Sequence, residues 1–230
     1  MMCSTGRRST ISPPISGTLS PELSAQLETI SARDISACVA ISREGNCDGE
    51  SRRFLRSFEL LIGHEGGYSN ERNDRGNWTS GQVGVGELKG TKYGIAAHAY
   101  PTLDVPNLTL AEAQAIYERD YWAKAGCPDL PPRLAFAVFD AAVNNGVRRA
   151  VRWLQAAVGA SQDGAYGPAT KAATAIAVAR DPLDLDLAGE VHASRIHFMA
   201  GLNTWKDFGR GWSRRLAKVA LQAGHHWPIA

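Results

Sequence analysis

The sequence predicts a mainly α protein carrying one small β element, and three observations lead there. Downstream of Ala96 apolar residues recur at helical spacing almost without a break, divided by recognisable helix starts and stops. Upstream of that, Tyr68 to Gly94 is rich in Gly and Asn, lacks helical periodicity and has room for a small hairpin around Gln82–Leu88. Residues 1–50 are rich in Ser, Thr and Pro, short of aromatics, and hold one weak helical stretch near Pro21–Ser31, the composition of a poorly ordered extension.

The elements follow in order. Phe54, Phe58, Leu61 and Ile62 share a helical face, and Gly66-Gly67 supplies the expected stop. A short helix is expected from Ala96, ended by Pro101. Thr109-Leu110-Ala111-Glu112 has the pattern of a capping box and opens a helix running to about Lys124. Pro131-Pro132 starts another, ending near Asn145-Gly146, and Val147–Val158 forms the next. Asp163-Gly164 makes a turn, after which Pro168 fits the first position of a helix reaching Arg180. Helices over Leu183–Ala200 and Gly209–Ala223 complete the chain. This divides the chain into an N-terminal extension (1–50), a first region carrying the unusual loop (51–130) and a helical region packed on it (131–230).

Composition narrows the function classes. The 230 residues suffice for one substantial domain, and the apolar runs are too short to span a bilayer, so stable membrane insertion is not expected. Arg7 and Arg8 are followed by Ser, Thr and Pro where a secretory signal needs an apolar stretch, so the product is expected in the cytoplasm as synthesised. The four cysteines show no CxxC pair and read as reduced thiols. Residues 131–230 carry 12 basic against 7 acidic side chains, which suits an anionic polymer, cell wall or nucleic acid alike. Charge does not choose between them.

The chemistry concentrates in His64-Glu65-Gly66-Gly67-Tyr68, then Asp74, then Thr91-Lys92-Tyr93-Gly94-Ile95. Glycosidic hydrolysis requires a carboxylic acid to protonate the leaving oxygen and a second group to place water or stabilise the cationic centre. Glu65 at a helix C-terminus would feel the negative end of the macrodipole and partial burial, both raising its pKa toward that of a proton donor. Gly66 and Gly67 leave room for a sugar ring, Asp74 would stay ionised in solvent, and the Thr91 hydroxyl could orient water. Each residue also has a plainer reading. A helix-end Glu is usually solvated, Gly-Gly is usually a cap, and an Asp between Asn73 and Gly76 is a common turn former.

The segment Phe54–Pro101 resembles family 108 of the glycoside hydrolases, lysozyme-like phage endolysins and bacterial secretion activators. The likeness rests on Glu65-Gly66-Gly67-Tyr68, Asp74-Arg75-Gly76 and Thr91-Lys92-Tyr93-Gly94-Ile95, with Gly76–Gly90 similar to an insertion of one branch. It continues through Phe139-Asp140-Ala-Ala-Val-Asn144-Asn145-Gly146 and the closing Gly201–Trp205 and Phe208–Arg215 segments. Asp163-Gly164-Ala-Tyr-Gly167-Pro168-Ala-Thr170 resembles the turn of peptidoglycan-binding helical modules. Several motifs in the right order make a strong signal where one would be weak.

The resemblance implies a lysozyme-like α+β fold with the small β region beside an active cleft. It implies a peptidoglycan hydrolase that cleaves the β-1,4 bond from N-acetylmuramic acid to N-acetylglucosamine. Glu65 is the implied catalytic acid, with Asp74 and Thr91 handling water as in the similar phage-type lysozymes. Gly66, Gly67, Tyr68, Tyr93 and Asn144 are the candidate substrate-binding residues, Asn144 having a helix-terminus role as its alternative. Peptidoglycan is the expected partner, with a holin or export system to bring the protein to the wall. No nucleic acid, metal or organic cofactor is expected. The rivals are a lytic transglycosylase, which releases a 1,6-anhydro sugar without adding water, and a non-catalytic wall-binding or structural phage component. Elsewhere Trp153, Leu154 and Val158 read as core, Trp205 and Trp212 as core before sugar stacking, and Arg148, Arg149 and Arg152 as a solvated face. His192 and His197, five apart, are poorly spaced for a metal.

Overall fold

A computed structural model describes residues 49–63, 67–181 and 183–226, all within one compact unit covering 47–230. Among them are seven α-helices and one two-stranded sheet, so the protein is mainly α. The helices are α1 (Gly49–Ile62), α2 (Leu110–Tyr117), α3 (Pro132–Asn145), α4 (Val147–Ala157), α5 (Pro168–Arg180), α6 (Leu185–Ala200) and α7 (Trp205–His226).

Helix α3 is the axis of the fold. Arg133 through Ala142 are buried without exception, and the helix packs against α1, α4, α6 and α7. Such a helix needs apolar residues all round, which Leu134-Ala-Phe-Ala-Val-Phe139 supplies. Phe139 meets Phe54 of α1 and Trp122 edge-on, at 6.0 and 5.3 Å between ring centroids, and Phe58 meets Tyr117 at 5.3 Å. Edge-to-face contacts of this kind add to the large apolar area that aromatic rings remove from water. The N-terminus of α3 is closed from far along the chain. Asp184, held at φ +50°, accepts the backbone N–H of Arg133 at 2.7 Å and of Leu134 at 2.9 Å. A carboxylate there satisfies two orphan donors and complements the helix dipole.

Local signals placed most of the elements. The capping box is present, Thr109 Oγ1 accepting from the Glu112 N–H and the Glu112 carboxylate from the Thr109 N–H. Helix α2 is shorter than expected. It passes at Glu118–Trp122 into a π turn, closed by the Ala123 N–H donating to Glu118 O at 2.8 Å, and leaves Trp122 fully buried. Trp153 and Leu154 are core and Val158 packs against it, while Arg148, Arg149 and Arg152 stay exposed, Arg149 lying 4.2 Å over the Phe198 ring. The Asp163–Thr170 turn is held from inside. Buried Gln155 donates to Asp163 Oδ1, Ala165 O and Thr170 Oγ1, and accepts from the Gly164 N–H.

Three local expectations are corrected. Helix α1 ends at Ile62, where Gly63 takes φ +57° and returns its N–H to Glu59 O; the stop therefore precedes Gly66-Gly67. Residues 97–101 form turns rather than a helix, because Ala96 is committed to a strand. The sheet is not at Gln82–Leu88. Its strands are β1 (Thr91–Lys92) and β2 (Ile95–Ala96), antiparallel with Thr91 opposite Ala96. The two-residue turn Tyr93-Gly94, with φ of +51° and +75°, has the conformation a tight hairpin requires. Residues 79–87 instead loop out beyond a single Trp78–Leu88 bridge. No described helix is long and apolar enough to cross a membrane.

Candidate active site

Glu65 and Gly66 lie outside the described residues. Because α1 stops at Ile62, Glu65 follows the last helical turn by three positions, and the macrodipole acts only within that turn. The segment after it is described from Gly67, which is exposed, and Tyr68, which is 42% exposed.

Asp74 is exposed and forms the N-cap of a one-turn helix, Arg75–Asn77, its Oδ1 accepting the Gly76 N–H at 2.8 Å. It is thus a turn former, as its neighbours suggested, but only one carboxylate oxygen is used; among the described residues Oδ2 accepts no hydrogen bond. The turn ends on Asn77, which is fully buried. The Asn77 Nδ2 donates to Glu71 O at 3.0 Å, and its Oδ1 accepts the Thr91 hydroxyl at 2.7 Å. Its backbone N–H donates to Asp74 O, and its carbonyl accepts from Lys89 and Gly90. Asp74 and Thr91, 17 positions apart in the chain, are therefore tied to one buried residue that the sequence reading passed over.

Thr91 is also paired with Ser69 in an isolated antiparallel bridge. Its N–H donates to Ser69 O at 2.8 Å and its carbonyl accepts from the Ser69 N–H at 2.9 Å. Beside this pair the Tyr68 ring covers Gly90, where a side chain would meet Ser69 O at 2.4 Å and the ring at 2.6 Å. With φ at +80°, Gly90 is required twice over.

Tyr93 is held in the left-handed region, uncommon for an aromatic residue, and its carbonyl accepts the Tyr117 hydroxyl at 3.0 Å. Burial pushes the Tyr117 phenol up to about 12, Tyr121 adding to the effect and Arg215 opposing it, so the hydroxyl stays a donor. A Cβ on Gly94 would stand 2.6 Å from that hydroxyl, which accounts for glycine in the turn.

Asn144, exposed on α3, donates to Asp140 O at 2.7 Å, which fits its helix-terminus alternative. No hydrogen bond joins it to the Asp74–Thr91 turn among the described residues. Asp140 itself, fully buried, pairs with Arg195 of α6 and Arg215 of α7. Nearby His192 is buried with neither ring nitrogen bonded among the described residues. Burial lowers its pKa, as does Arg195, against the opposing charge of Asp140. Burial likewise pushes the Cys127 thiol far up, leaving an inert core residue. Among the described residues no three His, Cys, Asp or Glu side chains gather as a metal site would need.

The family model of glycosyl hydrolase 108 matches residues 58–146, a span containing every candidate site residue named above. No curated protein matches the chain. Among the solved structures that match is Brucella abortus SagA, 31% identical, with 74% of this chain and 92% of that one covered and a TM-score of 0.59. At that identity and coverage the likeness extends beyond fold. The chain belongs to glycosyl hydrolase family 108 and is a peptidoglycan hydrolase of the glycoside-cleaving kind.

Proposed function

We propose that the enzyme cleaves the β-1,4 bond between N-acetylmuramic acid and N-acetylglucosamine by adding water, without a cofactor. Glu65 protonates the departing glycosidic oxygen. A water held by Asp74 and Thr91 attacks the anomeric carbon from the opposite face, Asp74 taking its proton, which inverts the centre. The observation that carries this reading is the joining of Asp74 and Thr91 through buried Asn77, beside the Ser69–Thr91 bridge. Ser69 follows Glu65 by four positions, so chain length alone bounds their Cα atoms to about 14 Å. Gly66, Gly67, Tyr68 and Tyr93 line the sugar path in this reading, and Asn144 reaches an acetamido group with the amide oxygen.

Residues 51–130 carry the catalysis, 131–230 add a wall-binding-like helical region, and 1–50 are dispensable for it. Reaching the wall requires a holin or an export system, for host lysis or for local wall opening. Asp74→Asn tests the reading, because it keeps the turn acceptor and loses the base. Turnover on soluble glycan strands should fall by roughly 10²–10⁴-fold with the melting temperature unchanged. A loss below about threefold would remove Asp74 from the mechanism.

A further inference from the structure

Asn77 has a property that its neighbours do not share: it decides which way the Thr91 hydroxyl points its proton. A carboxamide buried between a carbonyl and a hydroxyl has two orientations. One sets its NH₂ against the carbonyl and its oxygen against the hydroxyl; the other reverses both. The Glu71 carbonyl can only accept, so the Nδ2 must face it, as it does at 3.0 Å. Oδ1 is thereby left for Thr91, and an amide oxygen can only accept. The Thr91 hydroxyl must donate, as it does at 2.7 Å. Its single proton is then spent, and only lone pairs remain for anything else that touches Oγ1. Full burial of Asn77 keeps water from substituting for either bond.

We infer that Asn77 is a positioning residue for catalysis: it fixes the polarity of the Thr91 hydroxyl, so that an attacking water donates a hydrogen to Thr91 and turns a lone pair toward the sugar. This rests on the reading of Thr91 as a water-holding group. Were the hydroxyl free to rotate, it could donate to that water and occupy the lone pair needed for attack. The same residue, through its backbone N–H to Asp74 O, holds the turn that presents the second water ligand. Asn77 touches no reacting atom. It acts on the ordering of the water, so its removal should slow turnover while leaving substrate affinity in place.

The full-length protein is assayed on soluble glycan strands as wild type, Asn77→Asp, Asn77→Ala, Thr91→Val and both Asn77 variants combined with Thr91→Val. Asn77→Ala, which leaves the Thr91 hydroxyl without its acceptor, should lose about 10- to 100-fold in kcat with KM within about twofold of wild type. Asn77→Asp keeps an oxygen that can only accept from Thr91, although it sets a second acceptor against the Glu71 carbonyl, and should retain more of the rate than Asn77→Ala. In the Thr91→Val background, with no hydroxyl to orient, either Asn77 substitution should add less than about twofold.

Thr91→Val slow and both Asn77 variants at full rate would overturn this inference and spare the reading beneath it. Equal losses in both backgrounds, or a loss confined to KM, would also overturn it, since each assigns Asn77 a role apart from the hydroxyl. Thr91→Val at full rate would remove Thr91 from the mechanism and this inference with it. Should Asn77→Asp fail to fold, as its melting curve would show, Asn77→Ala alone decides by the same comparison.

Discussion

Asp140→Ala is expected to destabilise the protein by about 3–5 kcal/mol, the cost of breaking a buried ion pair from one side. Asp140 is 0% exposed and Arg195 beside it 1%, so their charges face each other almost without solvent. The second carboxylate oxygen takes Arg215, whose side chain is 43% exposed. Removing the carboxylate strands Arg195 as an unpaired buried cation, and that desolvation cost is what the variant suffers. It also removes the two ion pairs through which Asp140 ties α6 and α7 to α3. Replacing the whole group with apolar residues of like volume would be far milder, because no charge would be stranded. For a chain of this size the loss corresponds to a fall of roughly 6–20 °C in melting temperature. Thermal unfolding followed by circular dichroism measures it, and a fall under about 2 °C would show that Arg195 finds another partner or reaches water.

Glu65→Gln is expected to stop wall cleavage while leaving the melting temperature within a degree or so. The amide has the shape of the protonated acid and none of its acidity, so the leaving oxygen departs unprotonated. General acid catalysis supplies roughly 10²–10⁴-fold, and no other acidic side chain in the proposed mechanism is placed to substitute. Clearing of a wall suspension by the variant should be undetectable at enzyme concentrations where wild type finishes in minutes. A variant within about tenfold of wild type would take the proton donor away from Glu65 and leave the mechanism without its acid.

How much of this was legible in the sequence depends on how local each signal is. Thr109 and Glu112 are three positions apart, and their capping box is present as expected. Pro132, Pro168 and the arginines of α4 likewise act within a turn or two of themselves. The misses are of two kinds. Some are competition between local signals: Gly63 reaches the left-handed region before Gly66-Gly67, and the tight Tyr93-Gly94 turn takes Ala96 into a strand. Others need a partner the sequence does not point to. Asp184 caps α3 from 51 residues away, and the Thr91 hydroxyl meets Asn77 across 14. An Asn beside a glycine reads as a turn former, and nothing in its neighbours distinguishes the buried member of a hydrogen-bonded pair. At Asp74 the turn-forming alternative is the one the structure shows, Oδ1 accepting the Gly76 N–H.

In the proposed reaction the enzyme adds water across the bond from N-acetylmuramic acid to N-acetylglucosamine. Digesting purified peptidoglycan in water enriched in oxygen-18 and identifying the new chain ends by mass spectrometry tests it directly. Each bond cleaved should leave one new reducing-end N-acetylmuramic acid whose C1 oxygen comes from solvent, and no such ends should form with Glu65→Gln. Products ending mainly in 1,6-anhydro-N-acetylmuramic acid, without solvent oxygen, would contradict it and make the enzyme a lytic transglycosylase.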